Sequence, residues 1–255
     1  MNGPIYIVSD NHFSMKNDQS EISRREKLFQ VFEKIKKNFL SLNKKECNVI
    51  LGGDFFDYWF EYKYSIPAGY ESMLDALKEL TTIGIQVHLV LGNHDFWDFG
   101  YLKETIGLTI HKKDLSFTLN NDRILLTHGD GLLKKDYGYK ILKKIIRSHL
   151  FIFLFRLLPP DITCFLATKI SKSSSHYNHH DNNVKIIKND IKNYAIKKWN
   201  EGYDTVLVGH YHQIGIVNDK NKKLIYLGDW LSKFTVTTII ENQYWQGNWK
   251  EFLDF

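Results

Sequence analysis

An α/β sheet fold is what this chain of 255 residues predicts, and three observations predict it. The first is a series of short apolar runs, each ending in a polar or glycine-rich turn. They are Ile5 to Asp10, Val49 to Asp54, Val87 to His94, Ile124 to Asp130, Thr205 to His212 and Leu224 to Asp229. Continuous apolar character over so few residues marks strands buried on both faces. The second is a pair of amphipathic stretches of helical length between them. Ser23 to Leu42 lines up Leu28, Val31, Phe32, Ile35 and Phe39, and Ala68 to Thr82 lines up Met73, Leu74, Leu77 and Leu80. The third is their order, since strand and helix in alternation call for a largely parallel sheet.

The remaining elements follow in turn. Phe234 to Glu241 and Gln243 to Trp249 read as successive strands turning at Glu241-Asn242, which adds an antiparallel portion. Between the Ile124 and Thr205 strands the connection is mostly helical and far longer than an ordinary loop. Leu132 to Trp199 is therefore expected to be a helical cap inserted into a single domain spanning residues 1–255. Its middle, His149 to Leu158, is apolar nearly all round. The preceding helix carries Lys134, Lys135, Lys140, Lys143, Lys144 and Arg147 against a lone acid, Asp136.

Composition excludes several classes. A hydrophobic fraction of 43% with 25% charged residues is that of a globular chain, neither disordered nor fibrous. The net charge of +5 suits an anionic substrate or membrane surface but falls short of a dedicated nucleic-acid binder, and no base-stacking track accompanies the lysines. The thiols are Cys47 and Cys164, too few for a disulfide framework. No export signal is legible before Ile5, and the Leu150 to Leu158 run stops at Pro159-Pro160, well short of the roughly 20 residues needed to cross a bilayer. A cytoplasmic protein is expected, able to touch a membrane without crossing it.

In sheets of this kind the loops at the carboxyl ends of strands carry the chemistry. Five motifs sit there: Asp10-Asn11-His12, Gly52-Gly53-Asp54-Phe55-Phe56-Asp57, Gly92-Asn93-His94-Asp95, His128-Gly129-Asp130 and Gly209-His210-Tyr211-His212. Any one of these histidines taken alone is more simply a surface or core residue. Together the motifs supply mixed carboxylate, amide and imidazole donors, without thiolate, of the kind that favours manganese, iron or zinc.

The ordered set Asp-x-His, Gly-Asp-x-x-Asp, Gly-Asn-His-Asp, His and Gly-His-x-His resembles the calcineurin-like metallophosphoesterase superfamily over essentially the whole chain. That resemblance implies a four-layer αββα sandwich and two divalent metal ions. One ion would take Asp10, His12 and His212, the other Asn93, His128 and His210, with Asp54 bridging both. His94 would face the phosphorus, stabilising charge or protonating the leaving oxygen, and Asp95 would orient it. Asp57 reads as a carboxylate that fixes its own loop.

Three further segments narrow the resemblance: the aromatic run Phe55 to Tyr62, Gly92 through Trp97, and His128 through Lys140 with the apolar cap behind it. They are similar to the UDP-2,3-diacylglucosamine pyrophosphatases of lipid A biosynthesis, in the branch with histidine rather than arginine at position 94. The resemblance implies cleavage of an acylated UDP-sugar to UMP and 2,3-diacylglucosamine 1-phosphate, with Mn2+ as the usual metal and peripheral contact with lipid at the cytoplasmic face of the inner membrane. Asp136, Tyr139, Lys172 and Ser173 become candidates for sugar and phosphate contacts, and Phe153, with its apolar neighbours, for the acyl chains; those neighbours could equally pack the cap against the sheet. The alternatives are a metallophosphoesterase acting on a soluble phosphomonoester, phosphodiester or nucleotide, and a non-catalytic scaffold, which should have lost ligands. No nucleic-acid partner is expected.

Overall fold

The alternating strands and helices fold into two mixed sheets stacked face to face, seen in a computed structural model that describes residues 1–41, 46–160, 162, 163, 165 and 181–255. The first sheet contains β1 (Ile5–Val8), β2 (Asn48–Leu51), β3 (Gln86–Val90) and β4 (Thr109–His111) in parallel order. The second contains β5 (Leu115–Leu119), β6 (Asp122–Thr127), β7 (Thr205–Val208), β8 (Ile214–Asp219) and β9 (Lys222–Leu227) in the order β5-β6-β7-β9-β8. Its middle strands β6, β7 and β9 are parallel, and β5 and β8 are antiparallel edges. The expected C-terminal hairpin is β10 (Thr235–Ile240) and β11 (Gln243–Asn248), which extends the first sheet beyond β1. Its turn residues Glu241 and Asn242 both have positive φ, 50° and 66°. That conformation matches the twist of the paired strands.

Helices close both outer faces. Against the first sheet lie α1 (Gln19–Ser41) and α2 (Glu71–Thr82), which put Leu28, Val31, Phe32, Ile35, Met73 and Leu77 into the core, and the short α3 (Tyr101–Glu104) buries Leu102 there. Against the second lies α6 (Asp181–Asn200), whose Ile187, Ile191 and Ala195 pack on Val206, Val208 and Leu224. Between the sheets, Ile5, Ile7, Ile50 and Val90 meet Ile124, Leu126, Leu207 and Ile225. The four-layer α/β architecture is thus assembled from the apolar faces of both sheets and of the helices that cover them.

Boundaries shift where a local hydrogen bond overrides periodicity. The first helix starts at Gln19 rather than Ser23 because the Asp18 carboxylate accepts the Glu21 N–H at 3.0 Å, capping the helix one turn earlier. The last strand stops at Asn248, not Trp249. There the Asn248 side chain accepts N–H bonds from Lys250 and Glu251 while the Glu251 carboxylate accepts one from the Asn248 N–H, a capping box that opens α7 (Trp249–Asp254).

The 132–199 segment divides. Its last helix, α6, is an outer layer of the sandwich. The other two described, α4 (Tyr137–Ile146) and α5 (His149–Arg156), stand over the aromatic run, where Ile146, Ile152 and Phe155 pack against Tyr58, Phe60 and Trp97. Phe55, Phe56, Trp59 and Phe60 are themselves fully buried. At about 1.5–3 kcal/mol for each large apolar side chain removed from water, the run is core that fixes the loops around it.

Candidate metal centre

Parallel pairing decides where the motifs meet. Because β1, β2 and β3 run the same way in one sheet and β6 and β7 in the other, their carboxyl ends share one rim of the sandwich. At that rim the backbone turns left-handed at residues that are not glycine: Asp10 (φ 53°), His12 (45°), Asp54 (51°), His210 (64°) and His212 (53°). Each such residue costs on the order of 1–2 kcal/mol, so the surroundings must hold it. They do: the Asp10 N–H donates to the Gly53 carbonyl at 3.0 Å, the His12 N–H to the Asp54 carbonyl at 2.8 Å, and the His210 N–H to the Asp10 carboxylate at 2.9 Å. Two glycines permit the approach. A Cβ on Gly53 would collide with the His128 ring, and one on Gly92 with the Asp54 carboxylate.

Three groups of donor atoms result. Asp10, His12 and His212 form one, Asp54, His128 and His210 a second, and His12, Asp54 and His94 a third, each with its atoms within 4.8 Å of one another. Asp54 belongs to two of the three. Its Oδ2 lies 3.2 Å from His128 Nε2 and 3.8 Å from His12 Nε2. Asn93 Oδ1 is 3.3 Å from the same His128 nitrogen. The geometry therefore brings together all seven residues expected as ligands, with Asp54 between the sets.

The electrostatics of these groups suit a cation. Burial would raise the Asp54 pKa, but His128, His94 and His12 hold it well below the usual carboxylate range. Burial disfavours charge on His128, yet Asp54 pushes it up to about 10, while burial and then His128 push His210 down to about 3. A carboxylate that draws protons onto its imidazole neighbours would draw a divalent ion in their place. Among the described residues, buried His12 Nε2 has no hydrogen-bond partner, which is the condition of a ligand atom left for a cation.

The supports behind these residues differ from expectation. Asp95 does not reach the His94 ring: its fully buried carboxylate accepts the Gly92 and Phe55 N–H groups, both at 2.7 Å, and so ties two ligand loops together. The His94 ring is oriented by Asp57, whose carbonyl accepts from Nδ1 at 2.7 Å, leaving Nε2 3.9 Å from the Asp54 carboxylate. The Asp57 carboxylate also stands 3.7 Å from His12 Nδ1, behind a candidate ligand rather than confined to its own loop. Asp229 does the same for His212, at 3.9 Å from Nδ1, and is itself held by the Ser232 N–H at 2.6 Å and Lys233 Nζ at 2.5 Å. Arg24, on α1, donates to the carbonyls of Asn11, His12 and Trp230. Asp229 had a sequence signal, a carboxylate at a strand end. Arg24 had none, because its partners are far along the chain or hidden in a loop.

The candidate substrate contacts scatter. Tyr139 donates its hydroxyl to Asp130 at 3.0 Å, with its ring 6.1 Å from that of His210. Asp136 caps the start of α4 with its backbone, half-buried. Phe153 is 61% exposed on α5. Lys172 and Ser173 lie outside the described residues. Three cations of the basic helix are engaged internally: Lys140 donates to the Leu133 carbonyl at 2.7 Å, Lys143 and Arg147 pair with Asp130 at 2.7 and 3.0 Å, and Arg147 also donates to the Gly92 carbonyl at 3.0 Å. These bonds lock α4 to the loops that carry Asn93 and His128.

A second lock is a carboxyl pair. Buried Glu61 accepts from Trp59 Nε1 at 3.0 Å and from the Phe99 N–H at 2.7 Å, and burial with the neighbouring Asp98 pushes it up to about 7. Since its pKa is raised above the ordinary 4.5, its contribution to stability is fully present below about pH 4.5 and lost as pH rises through about 7. A shift of this size is worth on the order of 3 kcal/mol, or roughly 6–12 °C in Tm for a chain this long. Glu61→Gln, which cannot titrate, is expected to flatten the fall in Tm between about pH 5 and 8. Parallel pH–Tm curves for variant and wild type would contradict the raised Glu61 pKa.

Residues 3–214 match the family described as calcineurin-like phosphoesterase. The chain is 27% identical over 248 residues to the UDP-2,3-diacylglucosamine hydrolase of Porphyromonas gingivalis, an alignment covering 91% of this chain and 92% of that protein. It is 30% identical over 183 residues to the UDP-2,3-diacylglucosamine hydrolase of Pseudomonas syringae pathovar tomato, covering 70% and 73%. Among solved structures, an archaeal phosphodiesterase aligns over 95% of this chain and 98% of that one with a TM-score of 0.42 at 15% identity.

Proposed function

The chain belongs to the calcineurin-like phosphoesterase family and is a hydrolase, and from that premise we propose that it cleaves the diphosphate of UDP-2,3-diacylglucosamine to UMP and 2,3-diacylglucosamine 1-phosphate. The observation that carries this reading is the apolar face standing beside a polar metal rim. On and just after α5, Leu150, Phe153 and Leu157 are 70%, 61% and 67% exposed. A soluble phosphate ester gives no reason to leave such a surface bare; a substrate with two acyl chains does. The names of the two bacterial relatives point the same way.

In this reading Asp10, His12 and His212 hold one divalent ion and Asn93, His128 and His210 the other, with Asp54 shared, and Mn2+ is the metal we assign. Bound there, the pair would supply a nucleophilic water at neutral pH and withdraw charge from the phosphoryl oxygens. The chain's own residues do the rest. The Asp57 carbonyl holds the His94 ring by Nδ1–H, so that Nε2 is presented to the phosphoryl group, where the imidazolium form, protonated on both nitrogens, donates to a developing charge or to the leaving oxygen. Asp229 and the Asp57 carboxylate steady His212 and His12 from behind. We assign contact with inner-membrane lipid to the exposed apolar face of α5, with the protein on the cytoplasmic side; no helix among the described residues is long and apolar enough to cross a membrane.

Purified protein loaded with Mn2+ is expected to release UMP from the acylated UDP-sugar at least about a hundredfold faster, in kcat/KM, than from the deacylated one, two acyl chains being worth several kcal/mol of burial. Cleavage of a generic aryl phosphodiester without release of UMP from either sugar would leave a phosphoesterase with a different, soluble substrate.

A further inference from the structure

Beside the metal rim lies a cavity of about 500 Å³, whose walls come from β6, α4, α6 and the turn after β4 rather than from α5 and the aromatic run. Its lining includes Lys112, Lys113, Lys143, Arg147, His128 and Tyr203. We propose that this basic pocket holds the nucleotide half of the substrate, a nucleoside monophosphate once the diphosphate is cut. The proposal rests on the nucleotide-sugar reading above and adds where that half of the molecule sits.

Position is the first argument. His128, whose Nε2 stands 3.2 Å from Asp54, is a wall shared by the pocket and the metal centre. On the other side, the Leu91 N–H donates to the His111 carbonyl at 3.0 Å, which fixes Lys112 beside the loop that carries Asn93. A diphosphate cut at the centre therefore has cations next to one of its two products.

Charge is the second. Lys143 and Arg147 are already matched by Asp130. Lys112 and Lys113 follow β4 directly, are exposed, and have no hydrogen-bond or ion-pair partner among the described residues. The pocket's other carboxylate, Asp114, accepts a hydrogen bond from Tyr194 at 3.2 Å. Two ammonium groups thus remain for an incoming anion.

Shape is the third. His128 follows the carboxyl end of β6, whereas Tyr203 lies near its start, where the Asp204 N–H donates to the Arg123 carbonyl at 2.8 Å. The pocket therefore runs the length of the strand, with Lys112, Lys113, Lys143 and Arg147 near the metal rim and Tyr203 toward the far end, where Arg123 lies 4.2 Å from its ring centroid and Lys198 is paired with Glu201. That order, phosphate first and then a flat ring, is the order of a nucleotide. Its volume lies within the usual range for small-molecule sites, about 300–1,000 Å³.

The test uses the Mn2+-loaded full chain, titrated with UMP and separately with inorganic phosphate at fixed ionic strength. In the double variant Lys112→Glu with Lys113→Glu, UMP affinity is expected to fall about tenfold or more, and in Tyr203→Ala UMP affinity is expected to fall about tenfold while phosphate affinity changes less than about threefold. A control with the same charge change elsewhere, Lys16→Glu with Lys220→Glu, should bind UMP as the wild type does. Equal UMP affinity in the lysine variant and wild type overturns the proposal, as does an equal loss in the lysine variant and control, or an equal loss for UMP and phosphate in Tyr203→Ala. UMP release from the acylated UDP-sugar by the wild type, combined with any of these, removes the pocket and leaves the functional reading standing. Failure of that release removes the reading, and UMP binding that still depends on Lys112 and Lys113 would then mark a nucleotide site serving a different reaction.

Discussion

Asp54→Ala is expected to lower kcat by about a thousandfold or more and to cost bound metal, whereas His94→Ala should lower kcat about a hundredfold with metal content unchanged. The contrast follows from geometry. Asp54 is the carboxylate common to two donor groups, 3.2 Å from His128 and 3.8 Å from His12. Its loss leaves each remaining set of nitrogen and oxygen donors short of a shared negative ligand. It also frees the His94 N–H, which donates to Asp54 Oδ1 at 2.9 Å, so the loop bearing Asn93 loosens as well. His94 touches the centre more lightly. Its ring is held from behind by Asp57, and its Nε2 is 3.9 Å from Asp54. Metal per chain by elemental analysis, set beside kcat for each variant, separates the two roles. Equal metal loss in both would place His94 among the ligands and remove it as the group that faces the phosphorus.

The second large effect is at the cap. Phe153→Glu is expected to reduce kcat/KM for the acylated UDP-sugar by about 10- to 100-fold, because burying one large apolar side chain against lipid is worth about 1.5–3 kcal/mol and a carboxylate in its place resists desolvation. Tm should hardly move, since this ring is 61% exposed in the folded chain. Phe155→Glu should behave oppositely. Phe155 packs edge-on against buried Phe60 at 5.0 Å between ring centroids, so a charge there strikes the core and lowers Tm first. Full activity of Phe153→Glu on the acylated substrate would detach α5 from the acyl chains, and with it the surface on which the lipid reading stands.

Much of the site was legible before any coordinates because each motif is local. An apolar run long enough for one strand, ended by a glycine or a carboxylate, states both the strand and what emerges from its end. Parallel pairing of β1, β2 and β3, and of β6 and β7, then gathers these ends without further instruction. The edge strands β4, β5 and β8 were not marked in the same way. Leu115–Leu119 alternates buried and exposed residues, and β4 and β8 are half-exposed, so neither shows a continuous apolar run.

By itself, then, the sequence determined the α/β class, the strand-end motifs that carry the candidate donors and the apolar character of the cap. All three follow from residue type and near-neighbour spacing. Only the tertiary structure decided that Asp57 rather than Asp95 steers His94, that Asp229 stands behind His212, and that Arg24 braces the first motif from α1. It also decided that Phe155 is core while Phe153 faces outward, and that Lys143 and Arg147 are matched by Asp130 while Lys112 and Lys113 are not. The physical reason is common to these outcomes: a hydrogen bond, an ion pair or a buried ring depends on which distant surface arrives opposite, and spacing along the chain carries no record of that.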